Sequence, residues 1–336
     1  MPLAAIFGCS GPNLLPEERA FFRDSDPLGF ILFARNCLSR EQIRALVGDL
    51  KAAVGRDDTP ILIDQEGGRV ARLRPPQWPA YPPAGRIGAL AQRDPVRGED
   101  AARAAARLIA EELREIDVNV DCAPVLDVLF PEGHGIIGDR AFGADIGLVA
   151  RLGRAFCEGL LDGNVLPVAK HMPGHGRARA DSHAELPIVD AAAADLDAVD
   201  FAPFRALADA PWAMTAHVLY TAIDDLNPAT TSSRLIGGTI RGNIGFDGFL
   251  VSDDLCMKAL AGGLSQRTQA ALAAGCDAVL HCDGNLQAMM EVANAARALD
   301  SAARSRFARA EARRHQPRPI DRKALAARLD ALLEPA

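Results

Sequence analysis

The sequence predicts an α/β fold, a TIM-type (β/α)8 barrel, on the basis of three observations. The chain has 336 residues, a length that such barrels commonly reach as one domain. Short apolar runs alternate with amphipathic helical segments throughout, without a low-complexity linker. Polar residues follow directly after several of these runs. We therefore expect a single catalytic barrel domain over residues 1–336, with a C-terminal helical extension over about 300–336.

The predicted strands are short and apolar on both faces, as expected of parallel strands that helices cover. They span 4–7, 29–33, 60–63, 118–126, 165–169, 213–216, 249–252 and 277–280. The competing fold is an open Rossmann-like sheet, but no Gly-x-Gly-x-x-Gly follows the first run. A count of eight strands therefore favours the closed barrel.

The segments between the strands show helical periodicity and N-terminal signals. Ser39 precedes a helix whose apolar residues recur on one face. Asp94 followed by Pro95 fits an N-cap with proline at the first helical position. The predicted helices are 16–22, 39–54, 94–116, 145–161, 195–208, 232–243, 266–274, 286–299 and 322–333, and a proline-rich loop covers 75–85.

The composition narrows the classes of partner. Acidic and basic residues are interspersed and the formal net charge is −7, which argues against a nucleic-acid-binding surface, since that needs a basic patch. No apolar run approaches the roughly 18 residues of a membrane span, and we expect no signal peptide. The seven cysteines show no Cys-x-x-Cys spacing, which fits free thiols in a reducing compartment. We expect a cytoplasmic monomer that binds neither nucleic acid nor membranes.

Titratable residues gather at the ends of the predicted strands. In a barrel the C-terminal strand ends build the active site. A lone Asp after a strand often caps the next helix, but several strand ends that carry such residues together are harder to explain as caps. These residues are Asp64, Asp127, Lys170, His171, His217, Asp253 and Asp254. We therefore expect an enzyme active site at this end of the barrel.

Two short motifs indicate acid–base chemistry. Asp253 and Asp254 are adjacent, so on a strand one carboxylate can face the barrel mouth while the other caps or pairs. Asp181 and His183 form an Asp-x-His unit, in which the carboxylate can fix the tautomer of the imidazole and tune its basicity. The alternative interpretations are a helix-capping Asp pair and a solvated polar loop.

Two chemistries fit these side chains. One is metal-assisted hydrolysis, with ligands from His171, His175, His183, His217 and Asp253, although no His-Glu-x-x-His motif occurs. The other is carbohydrate chemistry with an Asp nucleophile and a His proton shuttle. In that case Arg72, Arg140 and Lys170 would bind hydroxyl, amide or carboxylate groups of the substrate.

The stretch Lys170–Gly176, with the pattern Lys-His-x-Pro-Gly-His-Gly, and the following Asp181-Ser182-His183 resemble the signature of bacterial β-N-acetylhexosaminidases of glycoside hydrolase family 3. The resemblance spans most of the chain, because further similar segments occur in the order found in the family. These segments are 63–70, 123–127, 138–143, 214–217 and 245–254.

This resemblance implies a retaining glycoside hydrolase that uses neither a metal nor a cofactor. Asp253 would attack the anomeric carbon, His183 would serve as acid and base, and Asp181 would orient His183. By the same matching, the residues that hold N-acetylglucosamine would be Asp64, Arg72, Arg140, Lys170 and His171. Family members of this layout generally release that sugar from peptidoglycan fragments in the cytoplasm, so the expected partner is a small carbohydrate or muropeptide.

Three alternatives remain open. The same site could carry out phosphorolysis, since a His in place of a carboxylate acid/base could admit phosphate as acceptor. The barrel could be a metal-dependent hydrolase, or a catalytically inactive barrel that only binds muropeptides. Within the favoured interpretation, we expect Lys170 and His171 to be fixed substrate contacts, whereas Asp181 and His183 lie on a loop that closes over the sugar.

Overall fold

Eight parallel strands close into a barrel in the computed structural model, which describes residues 1–334. The strands are β1 (Leu3–Gly8), β2 (Pro27–Leu32), β3 (Ile61–Ile63), β4 (Val120–Asp121), β5 (Leu166–Met172), β6 (Trp212–Thr215), β7 (Phe249–Asp254) and β8 (Ala278–His281). Each strand pairs with its neighbours in sequence, and β8 closes the barrel on β1, with Val279 opposite Ala5. The predicted (β/α)8 barrel is therefore confirmed.

Helices surround the barrel between the strands. They are Pro16–Ser25, Arg40–Val54, Ala84–Arg93, Pro95–Glu115, Ile146–Asp162, Ala193–Asp195, Ala202–Ala206, Leu264–Ala274, Leu286–Ala295, Ser301–Glu311 and Arg322–Leu333, with π-helical Leu196–Asp200 and Arg234–Asn243. The side chains of Ser39, Asp94 and Asp145 each accept a hydrogen bond from the backbone N–H three residues further on, so these N-caps formed where the sequence predicts them. No helix within residues 1–334 is both long and apolar enough to cross a bilayer.

The helix Ala84–Arg93 was not predicted; the sequence indicated a proline-rich loop followed by a helix that begins at Asp94. Gly85 and Gly88 lower the helical propensity of this segment. Gly88 is nevertheless required by a tertiary contact, because a Cβ there would lie 1.5 Å from the carbonyl oxygen of Phe142. Close packing of this helix on a barrel loop therefore overrides its weak local preference.

The predicted continuous helix over 195–208 is broken. Its first part is the π-helical turn Leu196–Asp200, closed by a hydrogen bond from the backbone N–H of Phe201 to the carbonyl of Leu196 at 2.9 Å. Pro203 follows and has no N–H to continue the α-helical pattern. The remaining helix is only Ala202–Ala206.

The C-terminal helices pack on the barrel. In Ser301–Glu311, the ring of Phe307 lies 6.1 Å from that of Trp212, the first residue of β6. The final helix Arg322–Leu333 packs beside Pro95–Glu115 and pairs Arg322 with acidic side chains there. The last two residues of the predicted extension lie outside the described residues.

Candidate active site

A cavity of about 250 Å³ opens at the C-terminal ends of the barrel strands. Seven of the eight residues predicted as catalytic or substrate-binding line it, namely Asp64, Arg72, Arg140, Lys170, His171, His183 and Asp253. The eighth residue, Asp181, contacts His183. The barrel thus gathers side chains that are far apart in the sequence at one site.

Lys170 is the centre of a buried ion network on one side of this cavity. Strand β5 extends through Met172, so Lys170 lies within the strand rather than after a strand that ends at Ala169. Its side chain is only 2% exposed, and its Nζ lies 2.9 Å from Oδ1 of Asp64 and 2.7 Å from Oε1 of Glu66. One ammonium group therefore holds two carboxylates in fixed positions.

Two arginines complete the network. Arg140 donates from Nε and from a terminal nitrogen to the two oxygens of Glu66, both at 2.8 Å. Arg72 donates to Oδ2 of Asp64 at 2.9 Å. With Lys170, three cations face two carboxylates. Such bidentate, charge-assisted contacts fix geometry as well as charge, so this wall of the cavity is set before a ligand arrives.

The charges of the network support one another against burial. Burial alone would raise the pKa of the Asp64 carboxyl, but Lys170 and Arg72 bring it well below its usual value. Lys170 and Arg140 lower the pKa of Glu66 in the same way. Burial disfavours charge on Lys170 too, yet Asp64 and Glu66 raise its pKa above the ordinary value. The network therefore remains ionised at neutral pH.

His171 is oriented from behind by Asp127, a fully buried residue that follows β4. The Nδ1 of His171 lies 2.6 Å from Oδ2 of Asp127, and the other carboxylate oxygen accepts the backbone N–H of His175 at 2.6 Å. The Nε2 of His171 lies 3.4 Å from a terminal nitrogen of Arg140. Because the Asp127 carboxylate accepts, Nδ1 of His171 carries a proton that it donates to Asp127.

Asp253 supplies a half-buried carboxylate at the floor of the cavity. Burial would raise its pKa, but the imidazoles of His217 and His171 and the backbone N–H of Asp254 lower it instead. That N–H donates to Oδ1 of Asp253 at 2.8 Å. An ionised carboxylate in a partly dry pocket is poised to act as a nucleophile.

Asp254 has a different environment from its neighbour. Its Oδ1 accepts the backbone N–H groups of Cys256 at 3.0 Å and of Cys282 at 3.2 Å. Burial raises its pKa, and the charge of Asp253 adds to that effect. The Asp254 carboxylate thus accepts two backbone hydrogen bonds, whereas the adjacent Asp253 carboxylate accepts one.

His217 lies beside Asp253 with both ring nitrogens engaged. Its Nε2 lies 3.0 Å from the backbone carbonyl of Asp254, and its Nδ1 lies 2.7 Å from the hydroxyl of Thr230. A carbonyl only accepts, so Nε2 carries a proton, and the Thr230 hydroxyl also lies 3.1 Å from the backbone carbonyl of Ala216. Burial lowers the pKa of His217. The imidazole of His217 therefore links the end of β7 to Thr230.

His183 lies across the cavity on the loop after β5. Its Nδ1 is 2.8 Å from Oδ1 of Asp181, which also accepts the His183 backbone N–H at 2.9 Å. This pairing places the proton on Nδ1 and leaves Nε2 free to exchange a proton. The His183 side chain is 64% exposed, so it meets solvent, unlike the ion network opposite.

The loop that carries this pair is anchored on both sides. The side chain of Ser182 is buried, and its hydroxyl lies 3.2 Å from Nε2 of His175. The backbone carbonyl of Ser182 accepts the backbone N–H of Ala259. Burial, and then the nearby His171, lower the pKa of His175 to about 4, so its ring is neutral. Closure of this loop over a sugar remains a prediction.

The five ligands of the metal hypothesis do not form one site. Within residues 1–334 no three of them bring their ligand atoms within 4.8 Å of one another. His171 and His217 hold protein partners with their ring nitrogens. The cavity instead places the carboxylate of Asp253 and the imidazole of His183 at separate positions.

Two residues of the site were not assigned a role from the sequence. Glu66 binds both Lys170 and Arg140, and Asp127 orients His171. Both residues come soon after a predicted strand, and this position in the sequence indicated that they could belong to the site. Their partners lie on other strands or loops, so only the closed barrel shows what they contact.

The chain is similar in sequence and in fold to known glycosidases. The family model for the glycosyl hydrolase family 3 N-terminal domain matches residues 15–314. A beta-hexosaminidase from Alkalilimnicola ehrlichii is 42% identical over 285 residues, which cover 83% of this chain and 80% of that protein. Another from Bordetella avium is 40% identical over 286 residues, which cover 84% and 81% respectively. The crystal structure of NagZ from Neisseria gonorrhoeae with N-trifluoroacetyl-D-glucosamine has a TM-score of 0.85 and 30% identity, and covers 99% of this chain and 96% of that chain.

The fold and the carboxylate and imidazole groups at the barrel mouth are compatible with a glycoside hydrolase, and the family match shows that the chain belongs to glycosyl hydrolase family 3. Within that family it is a β-N-acetylhexosaminidase. The family and the enzyme class predicted from the sequence are confirmed.

Proposed function

We propose that this enzyme removes terminal, non-reducing β-linked N-acetylglucosamine by a retaining mechanism in which Asp253 is the nucleophile. The observation that carries the proposal is the arrangement of two groups around one cavity. Asp253 is ionised and half-buried, whereas His183 is exposed and its tautomer is fixed by Asp181. Such a reaction needs a nucleophile that is largely shielded from water and an acid/base group that can exchange protons with water.

In the first step, the Asp253 carboxylate attacks the anomeric carbon as the glycosidic C–O bond breaks. The Nε2 of His183, protonated beforehand, gives its proton to the leaving oxygen, and Asp181 stabilises the charged ring. In the second step, Nε2 takes a proton from water as that water attacks the anomeric carbon. The bond between the anomeric carbon and Asp253 breaks in the same displacement, and both groups return to their starting states.

We propose that the ion network and His171 bind the sugar. The cations Arg72, Arg140 and Lys170 can donate to hydroxyl or carbonyl oxygens, while Asp64 can accept from a hydroxyl. A cavity of about 250 Å³ favours one sugar unit, and hence release of a terminal residue. An N-acylated glucosamine is supported by the related protein from N. gonorrhoeae, which was crystallised with N-trifluoroacetyl-D-glucosamine.

The substrate we propose is a peptidoglycan fragment, cleaved in the cytoplasm by a monomer. The family resemblance supports this substrate. Seven free cysteines suit a reducing compartment. The products would be N-acetylglucosamine and an anhydromuramyl peptide, which is the part of the fragment that recycling recovers.

The test is product analysis with a chromogenic N-acetylglucosaminide and with a disaccharide muropeptide, each with and without inorganic phosphate. We expect free N-acetylglucosamine in both conditions and full activity after exhaustive chelation. A sugar 1-phosphate formed only with phosphate would replace hydrolysis by phosphorolysis. Loss of activity on chelation would support the metal-dependent alternative, and binding without turnover would indicate an inactive barrel.

A further inference from the structure

A second cluster of reactive side chains lies next to the nucleophile but takes no part in the mechanism above. It consists of Asp254 at the end of β7, Cys256 two residues later, and His281 at the end of β8. One potential ligand atom from each lies within 4.8 Å of the others. Strands β7 and β8 are hydrogen-bonded neighbours, so the barrel itself holds the three groups together.

The spacing of the donor atoms suits a small cation. The Sγ of Cys256 lies 3.1 Å from Nδ1 of His281. Tetrahedral zinc, with bonds of about 2.3 Å to sulfur and about 2.0 Å to nitrogen, places these two atoms roughly 3.5 Å apart. A shift of a few tenths of an ångström is within reach of one side-chain rotation. Because Oδ1 of Asp254 accepts two backbone N–H groups, Oδ2 is the oxygen left for a cation.

A carboxylate lies close to the distal ring nitrogen of His281. The ring is fully buried, and its second nitrogen, Nε2, lies 3.0 Å from Oδ1 of Asp283. This contact is not aligned as a hydrogen bond, and Nε2 has no aligned partner within residues 1–334. A carboxylate behind the distal nitrogen of a histidine ligand orients the ring and increases its basicity.

We propose that Asp254, Cys256 and His281 form a binding site for a thiophilic divalent cation, foremost Zn²⁺, beside the active-site cavity. Sulfur and imidazole ligands select zinc over the hard cations magnesium and calcium. On binding, the Cys256 thiol loses its proton to solvent, and bonds form from Sγ, Nδ1 and Oδ2 to the metal. Three protein ligands leave a fourth position for water.

The site also bears on catalysis, because Asp254 is bonded to the nucleophile through its backbone. Its N–H donates to Asp253, and its carbonyl accepts from His217. A dication bound by the Asp254 side chain places positive charge next to the Asp253 carboxylate and makes it a weaker nucleophile. We therefore expect zinc to inhibit the enzyme reversibly. The expected inhibition by zinc rests on the proposed function, whereas the proposed binding of zinc does not.

The competing explanation is a structural one, in which the Cys256 thiol simply donates to His281 and joins the ends of two strands.

The test is calorimetric titration of the chelator-treated, full-length enzyme with Zn²⁺, together with Co²⁺ titration followed by absorption. We expect one zinc per chain and a sulfur-to-cobalt charge-transfer band.

Cys256→Ser, which preserves shape, should weaken zinc binding at least about 10-fold, since even residues outside the first coordination shell commonly contribute that much. It should also remove the charge-transfer band. His281→Asn should weaken binding similarly, and Cys37→Ser, a partly exposed thiol elsewhere, should change neither readout.

Two results would overturn the proposal. One is the absence of zinc binding to the wild-type enzyme. The other is binding that Cys256→Ser leaves unchanged, which would place the cation elsewhere, for example on Asp181 and His183. Because these readouts are binding and absorption, they remain valid even if the enzyme acts on a substrate other than the proposed one. Thermal melts of each variant confirm that it is folded before titration.

Discussion

The two sides of the active-site cavity differ in how they are held. On one side, Lys170 and Glu66 are buried and belong to a network of ion pairs built on strand ends. On the other side, His183 is 64% exposed and is oriented by Asp181 on a loop. The charges of the first side cannot lose their partners without a large energetic penalty. In the proposed mechanism the second side exchanges protons with water, which its exposure permits. The comparison suggests that substitutions on the network side will reduce stability, whereas those on the loop side will reduce turnover.

The largest expected effect comes from Lys170→Met. This change leaves two buried carboxylates without their shared cation, and breaking a buried ion pair in this way costs about 3–5 kcal/mol. Urea unfolding should show a loss of that size along with loss of activity. Lys258→Met, at an exposed lysine, is the control and should change the free energy of unfolding by less than about 0.5 kcal/mol. Equal stability of the two variants would show that the network is not structural.

The next effect is that of His183→Ala on turnover. Removal of a general acid and base typically slows a reaction by about 10²–10⁴-fold. The loss should be smaller with an activated nitrophenyl leaving group, which needs no proton in the first step. Because the side chain is exposed, stability should change by less than about 0.5 kcal/mol. Equal losses on activated and unactivated substrates would contradict the acid role of His183.

A smaller loss is expected from Asp181→Asn, at most about 10²-fold, because the imidazole remains and only its orientation and charge stabilisation are lost. The sharper measurement is a double-mutant cycle with His183→Ala. If Asp181 acts through His183, the second substitution adds nothing once His183 is absent. Additive losses would mean that Asp181 has an independent role.

The smallest effect concerns the pH dependence of stability. Glu66 has a pKa below its ordinary value of 4.5 in the folded protein, chiefly because Lys170 and Arg140 outweigh burial. The stabilisation that Glu66 provides is therefore present above the pKa of its carboxyl in the unfolded chain. It is lost as the pH falls through the pKa of this carboxyl in the folded protein. The gap in unfolding free energy between wild type and Glu66→Gln should narrow as the pH falls below 4.5. Glu291→Gln, at an exposed position, should show no such narrowing.

The two sides also differ in how far the sequence predicts them. Asp181 and His183 are two residues apart, so their contact follows from local spacing. Lys170 could be placed at a strand end from the apolar run before it, but its pairing with Glu66 depends on barrel closure. The helix Ala84–Arg93 was missed for a related reason, since its glycines serve contacts with a distant loop. Local periodicity therefore predicted the strands and the loop motif, whereas long-range ion pairs required the structure.

The most direct test of the central claim is to trap the glycosyl-enzyme. A fluorinated N-acetylglucosaminide that forms the covalent intermediate faster than it hydrolyses is incubated with the enzyme, which is then digested and analysed by mass spectrometry. We predict one sugar per chain, attached to the peptide that contains Asp253, and no adduct in Asp253→Asn. An adduct on another residue, or efficient turnover by Asp253→Asn, would contradict the assignment of Asp253 as the nucleophile.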